Sequence, residues 1–205
     1  MHPLAFVSSD WQKSLPVLAV IGVIAWIALF LTDPVSERAL FAGLLVIYMV
    51  HQTEEHLWPG GFRQFTNDHI FHSGRADWPV TEGGVALVNI GFVWLPVALA
   101  ALFPGPLRWV GLAWIGLTLV NAVIHIATSI RFRIYNPGLA TSVLLFLPYS
   151  IGVLALFASR GTLSGTQITL VILLGIILHL PVAALFVVPY LRARAARKTD
   201  TVAAG

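Results

Sequence analysis

The sequence predicts an all-α fold: a polytopic membrane bundle of six transmembrane helices with both termini in the cytoplasm. Three observations carry that reading. The 205-residue chain is 58% hydrophobic and only 10% charged, with a mean hydropathy of +0.85, whereas a soluble domain carries about 25% charged residues. Six runs approach or exceed the ~20 apolar residues needed to cross a hydrocarbon layer ~30 Å thick. The basic residues, finally, are shared unequally between alternate connections. This composition excludes a soluble globular domain, a disordered chain and collagen. It also excludes a nucleic-acid binder, because 12 basic against 9 acidic residues leave too small an excess for a binding surface. With no cysteine, disulfides, thiolate metal sites and cysteine nucleophiles are excluded as well, so any metal must be held by nitrogen and oxygen.

The runs are 15–31, 39–57, 85–103, 107–130, 139–157 and 168–190. The first is a span rather than a signal peptide: Asp10 precedes it, no small-residue cleavage site follows, and Thr32-Asp33-Pro34 leads straight into the next run. Pro59-Gly60-Gly61 ends the second, Pro104-Gly105-Pro106 the third, Asn136-Pro137-Gly138 the fourth, and the glycines of 161–165 the fifth. The sixth runs into a basic tail. The whole chain, 1–205, reads as a single transmembrane domain. Its one long connection, 59–83, interleaves Phe62, Phe65, Ile70 and Phe71 with Arg63, Asn67 and Asp68. That pattern is expected of an amphipathic segment lying at the interface as a lid. Asp68, His69 and His72 within it form a secondary ligand candidate.

Six spans put both termini on one side. That side carries Lys13, Arg63, Arg75, Arg131, Arg133, Arg192, Arg194, Arg197 and Lys198, against Arg38, Arg108 and Arg160 on the other. Nine against three makes the first side cytoplasmic. The expected location is an inner or plasma membrane of bacterial type, and the basic isoelectric point is mostly a record of topology.

Among nine acidic residues, only Glu54 and Glu55 fall inside an apolar run, and His51, His125 and His179 lie within spans as well. Each ionisable group there costs about 2.5–3.5 kcal/mol on insertion scales, so such a cluster is read as functional. His51, Asn89 and His125 each lie six or seven residues from the cytoplasmic end of their span, roughly 10 Å deep at 1.5 Å per residue. Asn121 and His179 lie somewhat deeper. At 100° per residue, Glu54 and Glu55 share the His51 face, whereas His56 points about 140° away and joins only if the helix unwinds before Pro59. Imidazole and carboxylate together are ligands for zinc, iron or manganese. The expected ligands are His51, Glu54, Glu55, His125 and His179, with Asn89, Asn121 and His56 behind them or against substrate.

The string His51-Gln52-Thr53-Glu54-Glu55 resembles the signature of the HXXEE-domain family of small polytopic membrane proteins. The resemblance extends to the Asn121 and His125 pair and to the Tyr135-Asn136-Pro137-Gly138 turn, roughly 39–157. It implies a membrane protein with metal-dependent or acid/base activity and names no substrate.

The leading expectation is an integral-membrane enzyme with a zinc or iron centre near the cytoplasmic leaflet. It would act hydrolytically or oxidatively on a lipid, sterol or terpenoid-like molecule, with membrane lipids and that hydrophobic substrate as partners. Three histidines and one acid would tilt the choice to hydrolysis. The alternatives are a metal-free isomerase or cyclase using Glu54 and Glu55, and a proton or metal-ion transporter. The transporter reading asks for polar groups through the opposite halves of the spans, where the sequence has almost none. Purely structural readings compete at each position. The glutamates would pair with Arg131 or Arg133, His125 would hydrogen-bond across helices, and His179 would take the carbonyl freed by Pro181. Trp11, Trp58, Trp78 and Trp109 read as belt aromatics at span ends.

Overall fold

In a computed structural model of the protein, residues 10–203 are described, with side chains through residue 197. Lys198 of the basic tail and the extreme termini lie outside them. All regular structure in the described residues is helical. In chain order the elements are α1 (Trp11–Thr32), α2 (Glu37–His56) and the short α3 (Phe62–Phe65) in the long connection. Then come α4 (Glu82–Leu102), α5 (Pro104–Phe132), α6 (Leu139–Ser159) and α7 (Gly165–Ala203).

Local chemistry fixes several of these ends. The Ser36 side chain accepts the Ala39 N–H at 3.2 Å, capping α2 beside Glu37, and Thr81 caps α4 by accepting from the Gly84 N–H at 3.1 Å. The sequence-derived spans match α1, α2, α4, α5 and α6 to within a few residues. α7, however, continues well beyond residue 190, because the tail is rich in Ala, Arg and Lys, strong helix formers that hydropathy does not register.

Among the described residues, five helices are long and apolar enough to cross a membrane: α1, α4, α5, α6 and α7. α2 is the exception. Its 20 residues extend about 30 Å, but its last six are His-Gln-Thr-Glu-Glu-His, which pulls its mean hydropathy down. The same six residues explain its position. α2 packs on α1, α4 and α5, and α5 in turn packs on α4, α6 and α7. Half of the most apolar window of α5 is buried, against 11% for α1 and α7. α2 and α5 therefore form the axis of the bundle, with Phe41, Leu44, Leu112 and Ile115 fully buried between them and their neighbours.

On the side of the 33–36 and 160–164 connections, the three arginines tie loops together. Arg108 Nε lies 2.6 Å from Glu37 and its NH2 group donates to the Thr162 carbonyl, while Arg160 donates to that of Val35 and Arg38 to that of Leu102. At the other end the helices loosen into π-helical turns, at Thr66–Ile70 after α3, Leu87–Trp94 within α4 and Ser142–Phe146 within α6. Such turns are rare and concentrate at functional sites.

α5 and α7 cross in near backbone contact. A Cβ at Gly175 would fall 2.3 Å from the Gly116 carbonyl carbon, and one at Gly116 would fall 2.1 Å from the Val171 carbonyl oxygen. No side chain can yield there, since the opposing atoms are main chain. Gly175→Val is accordingly expected to cost about 1–3 kcal/mol through forced separation of the two helices. The check is a lowered thermal midpoint in detergent, alongside an unaffected Gly152→Ala control, which meets open space.

Candidate metal centre

The site is assembled from the polar end of α2, the middle of α5 and the turn that opens α6. His51, Glu55 and His125 are buried, and one ligand atom from each lies within 4.8 Å of the others. Glu55 Oε1 is the meeting point, 3.4 Å from His51 Nε2 and 3.3 Å from His125 Nε2. The two imidazole rings meet edge to face with centroids 4.9 Å apart, and the Phe146 ring lies 4.2 Å from that of His51.

His51 is held from behind. Its Nδ1 sits 2.7 Å from Thr141 Oγ1, and the Thr141 hydroxyl lies 3.3 Å from the Gly138 carbonyl. A hydroxyl that donates to that carbonyl accepts from Nδ1–H, which leaves the Nε2 lone pair facing Glu55. That nitrogen is buried and has no hydrogen-bond partner. Gly138 closes the arrangement: its φ is +99°, and a Cβ there would come within 2.6 Å of the His125 ring and 2.8 Å of the His51 ring. Only glycine suits both the backbone and the packing.

The two glutamates of α2 part company. Glu54 turns to the opposite side, where Oε1 accepts the N–H groups of Gly138 at 3.1 Å and Ala140 at 3.0 Å, and Oε2 accepts that of Thr141 at 2.7 Å. The Tyr135 hydroxyl donates to the same carboxylate. Burial and the neighbouring Glu54 charge push the Tyr135 phenol up to about 12, which keeps it a donor. Glu54 is thus a carboxylate seated on the N-terminus of α6, where peptide N–H groups and the helix dipole favour an anion. Its oxygens are engaged there and are not offered to the cluster, so the five-ligand expectation contracts on that side. Arginine is not its partner either, and Arg131 lies over the Phe132 ring instead.

His56 joins without unwinding. α2 stays helical through His56, whose Nε2 reaches within 3.7 Å of the second oxygen, Glu55 Oε2. The 140° offset is overcome because the imidazole approaches the carboxylate from its other edge. Asn89, in the π-helical part of α4, places its Nδ2 3.2 Å from His56 Nε2 and accepts from the Tyr48 hydroxyl at 3.3 Å. Trp11 is 2% exposed and packs edge-on against His56, so it is a wall of the site rather than a belt aromatic. Trp58 is 83% exposed just past the end of α2, and Trp78 packs on Tyr190.

His179 stands apart from the cluster. Its Nδ1 is 2.7 Å from the Gly175 carbonyl, one turn back on α7, rather than at the carbonyl freed by Pro181. It lines, with Asn121, a cavity described below. The 59–83 connection is folded onto the bundle: Phe65, Thr66 and Asn67 are buried, and Asn67 bonds the main chain of Ala76 and Val80. Sequence reasoning missed Thr141, Gln52 and Tyr48. Tyr48 was within reach, since it precedes His51 by three residues on the same face, and Gln52 accepts the Trp94 indole N–H at 2.7 Å. Thr141 had no signal beyond a polar residue opening a span.

A buried His/Glu cluster at one end of a bundle of membrane-length helices defines the class: a polytopic helical protein with a polar centre inside its apolar body. Residues 42–153 match the family described as "Protein of unknown function with HXXEE motif", and the chain belongs to it. His51, Glu54 and Glu55 are the motif's named positions. No curated protein and no solved structure matches the chain.

The division between the glutamates is testable by stability. Glu54→Ala would leave three peptide N–H groups and a phenol without their acceptor, at about 1–3 kcal/mol for each donor that stays dry. With all samples stripped of metal by chelator, its thermal midpoint in detergent is expected several degrees below wild type and below that of Glu55→Ala. A larger loss for Glu55→Ala would reverse the assignment.

Proposed function

We propose that this protein is a metal-dependent integral-membrane enzyme whose centre is held by His51, Glu55 and His125. The observation that supports it most directly is the pair of distances at Glu55 Oε1. Two nitrogens at 3.3 and 3.4 Å from one carboxylate oxygen are too far for strong hydrogen bonds. They correspond to the edges of a tetrahedron whose ligand bonds are ~2.0–2.1 Å, about 3.3–3.4 Å long. The unpartnered His51 Nε2 fits the same reading, and so does the Thr141 bond behind His51, the kind of support that orients a metal-binding imidazole.

A bound zinc or iron would supply Lewis acidity and an activated water, or open positions for oxygen chemistry. With His179 elsewhere, the donor set is two histidines and one carboxylate. That set is shared by hydrolytic zinc sites and by non-haem iron sites, so the tilt to hydrolysis lapses and metal identity selects the branch. The chain's own residues do the rest. Thr141 and Gly138 fix His51, Asn89 fixes His56, and His56 lines the polar cavity beside Glu55, placed to carry protons to and from the site. The apolar walls direct the enzyme to a hydrophobic, lipid-like or terpenoid-like substrate. The metal-free scheme with two facing glutamates is less well supported, because Glu54 is engaged on the N-terminus of α6. The transporter reading gains nothing, as both cavities that reach Glu55 are lined from the end of the bundle where α2 terminates.

Elemental analysis of detergent-purified protein tests the centre. Native protein is expected to carry stoichiometric zinc or iron. His51→Ala, Glu55→Gln and His125→Ala lose it at least tenfold, while His179→Ala keeps it. A metal-free native protein prepared without chelators would sink the proposal.

We also propose that α2 is the sixth span and that the site opens to the cytoplasm of a bacterial-type inner membrane. Reporter fusions at both termini are expected to read cytoplasmic, and a reporter active only outside at either end would overturn this orientation.

A further inference from the structure

Two cavities meet at Glu55, and they differ in character. One, about 340 Å³, is walled by apolar residues of α4, α5, α7 and the 59–83 connection, among them Val88, Ile124, Phe186 and Ile70. The other, about 360 Å³, is lined by Gln12, Lys13, His56, Arg63, Gln64 and Glu82. Only Glu55, Phe62 and Val85 belong to the walls of both, so the carboxylate of the proposed centre stands at their junction.

The apolar chamber suits one slender chain: at about 30 Å³ per water-sized group its volume corresponds to roughly eleven such groups, or one chain of about a dozen heavy atoms. The charges of the polar vestibule select the other end of the ligand. Lys13 is paired with Asp10 at 2.6 Å and Arg63 with Glu82 at 3.1 Å, so each cation there already faces a carboxylate. That lining offers hydrogen bonds without a net positive charge for an anionic head. The chamber has polar marks of its own: Thr66 Oγ1 is buried without a hydrogen-bond partner, and Asn121 and His179 stand in the same wall.

We propose that the two cavities together bind an uncharged single-chain amphiphile, its apolar body in the chamber and its polar group at the Glu55 junction. This rests on the proposed centre for the chemistry done at that junction, but binding itself needs only the two cavities. Phe62 is the positioning residue of the junction, since its ring packs on both His125 and His56, at 5.8 and 6.2 Å.

The probe is 1-dodecanol with a mid-chain diazirine, photolysed on the full chain in lipid nanodiscs and mapped by peptide mass spectrometry. Labelling is expected on buried chamber residues such as Val80 and Val85. Excess dodecanol should compete it away at least tenfold better than dodecanoate or dodecyltrimethylammonium. Val88→Trp and Ala183→Trp should each reduce it about tenfold, whereas Leu180→Trp, on an exposed position of α7, should not. Labelling confined to exposed residues such as Leu144 and Leu180, or competition by the charged amphiphiles equal to that by the alcohol, overturns the inference; the competition arm needs no variant to fold. Metal content measured on the same samples separates the two proposals. Chamber labelling on metal-free native protein sinks the centre alone, and stoichiometric metal without chamber labelling sinks the amphiphile site alone.

Discussion

The interaction on which the site depends is the seat of Glu54 on the first turn of α6. An isolated carboxylate inside a membrane bundle is expensive, and the start of a helix is short of acceptors for its N–H groups. Here each deficit answers the other: three peptide N–H groups and the Tyr135 phenol surround one carboxylate. The contact joins α2 to the 135–141 turn. That turn carries Gly138 against both imidazole rings and Thr141 behind His51. The seat thereby holds in place the turn whose Thr141 sets the tautomer of His51 and whose Gly138 packs on both rings.

Adjacent glutamates thereby acquire opposite duties. Consecutive residues on a helix differ by about 100°, enough to send Glu54 into the α6 turn and Glu55 into the gap between α2, α4 and α5. The first is saturated with main-chain donors. The second meets only histidine nitrogens and the walls of two cavities. The doubled glutamate at the end of α2 is therefore one anchor and one member of the histidine cluster, rather than a pair.

How far the sequence foretold this depends on what kind of information each feature uses. Helix positions followed from hydropathy, and the shared face of His51 and Glu55 from their spacing of four. Position along each helix was legible too, because every residue advances a helix by a fixed rise, and His51 does lie beside His125 and Asn89 beside His56. Rotation about the axis was not. His179 was expected among the ligands, but on α7 its imidazole turns to the Gly175 carbonyl instead. The partners of Glu54 were invisible for a different reason: peptide N–H groups are present at every residue and leave no mark in the sequence. α2 shows the converse, since the polar residues that identify the site are those that lower its apparent fitness as a span.

The seat of Glu54 also has a consequence for how the protein is made. Its donors lie 81–87 residues further along the chain. At a synthesis rate of about 5–20 residues per second, α2 waits roughly 4–17 s for them. During that interval α1 and α4 can already pack on α2, but Glu54 is without the peptide N–H groups and phenol that later surround it.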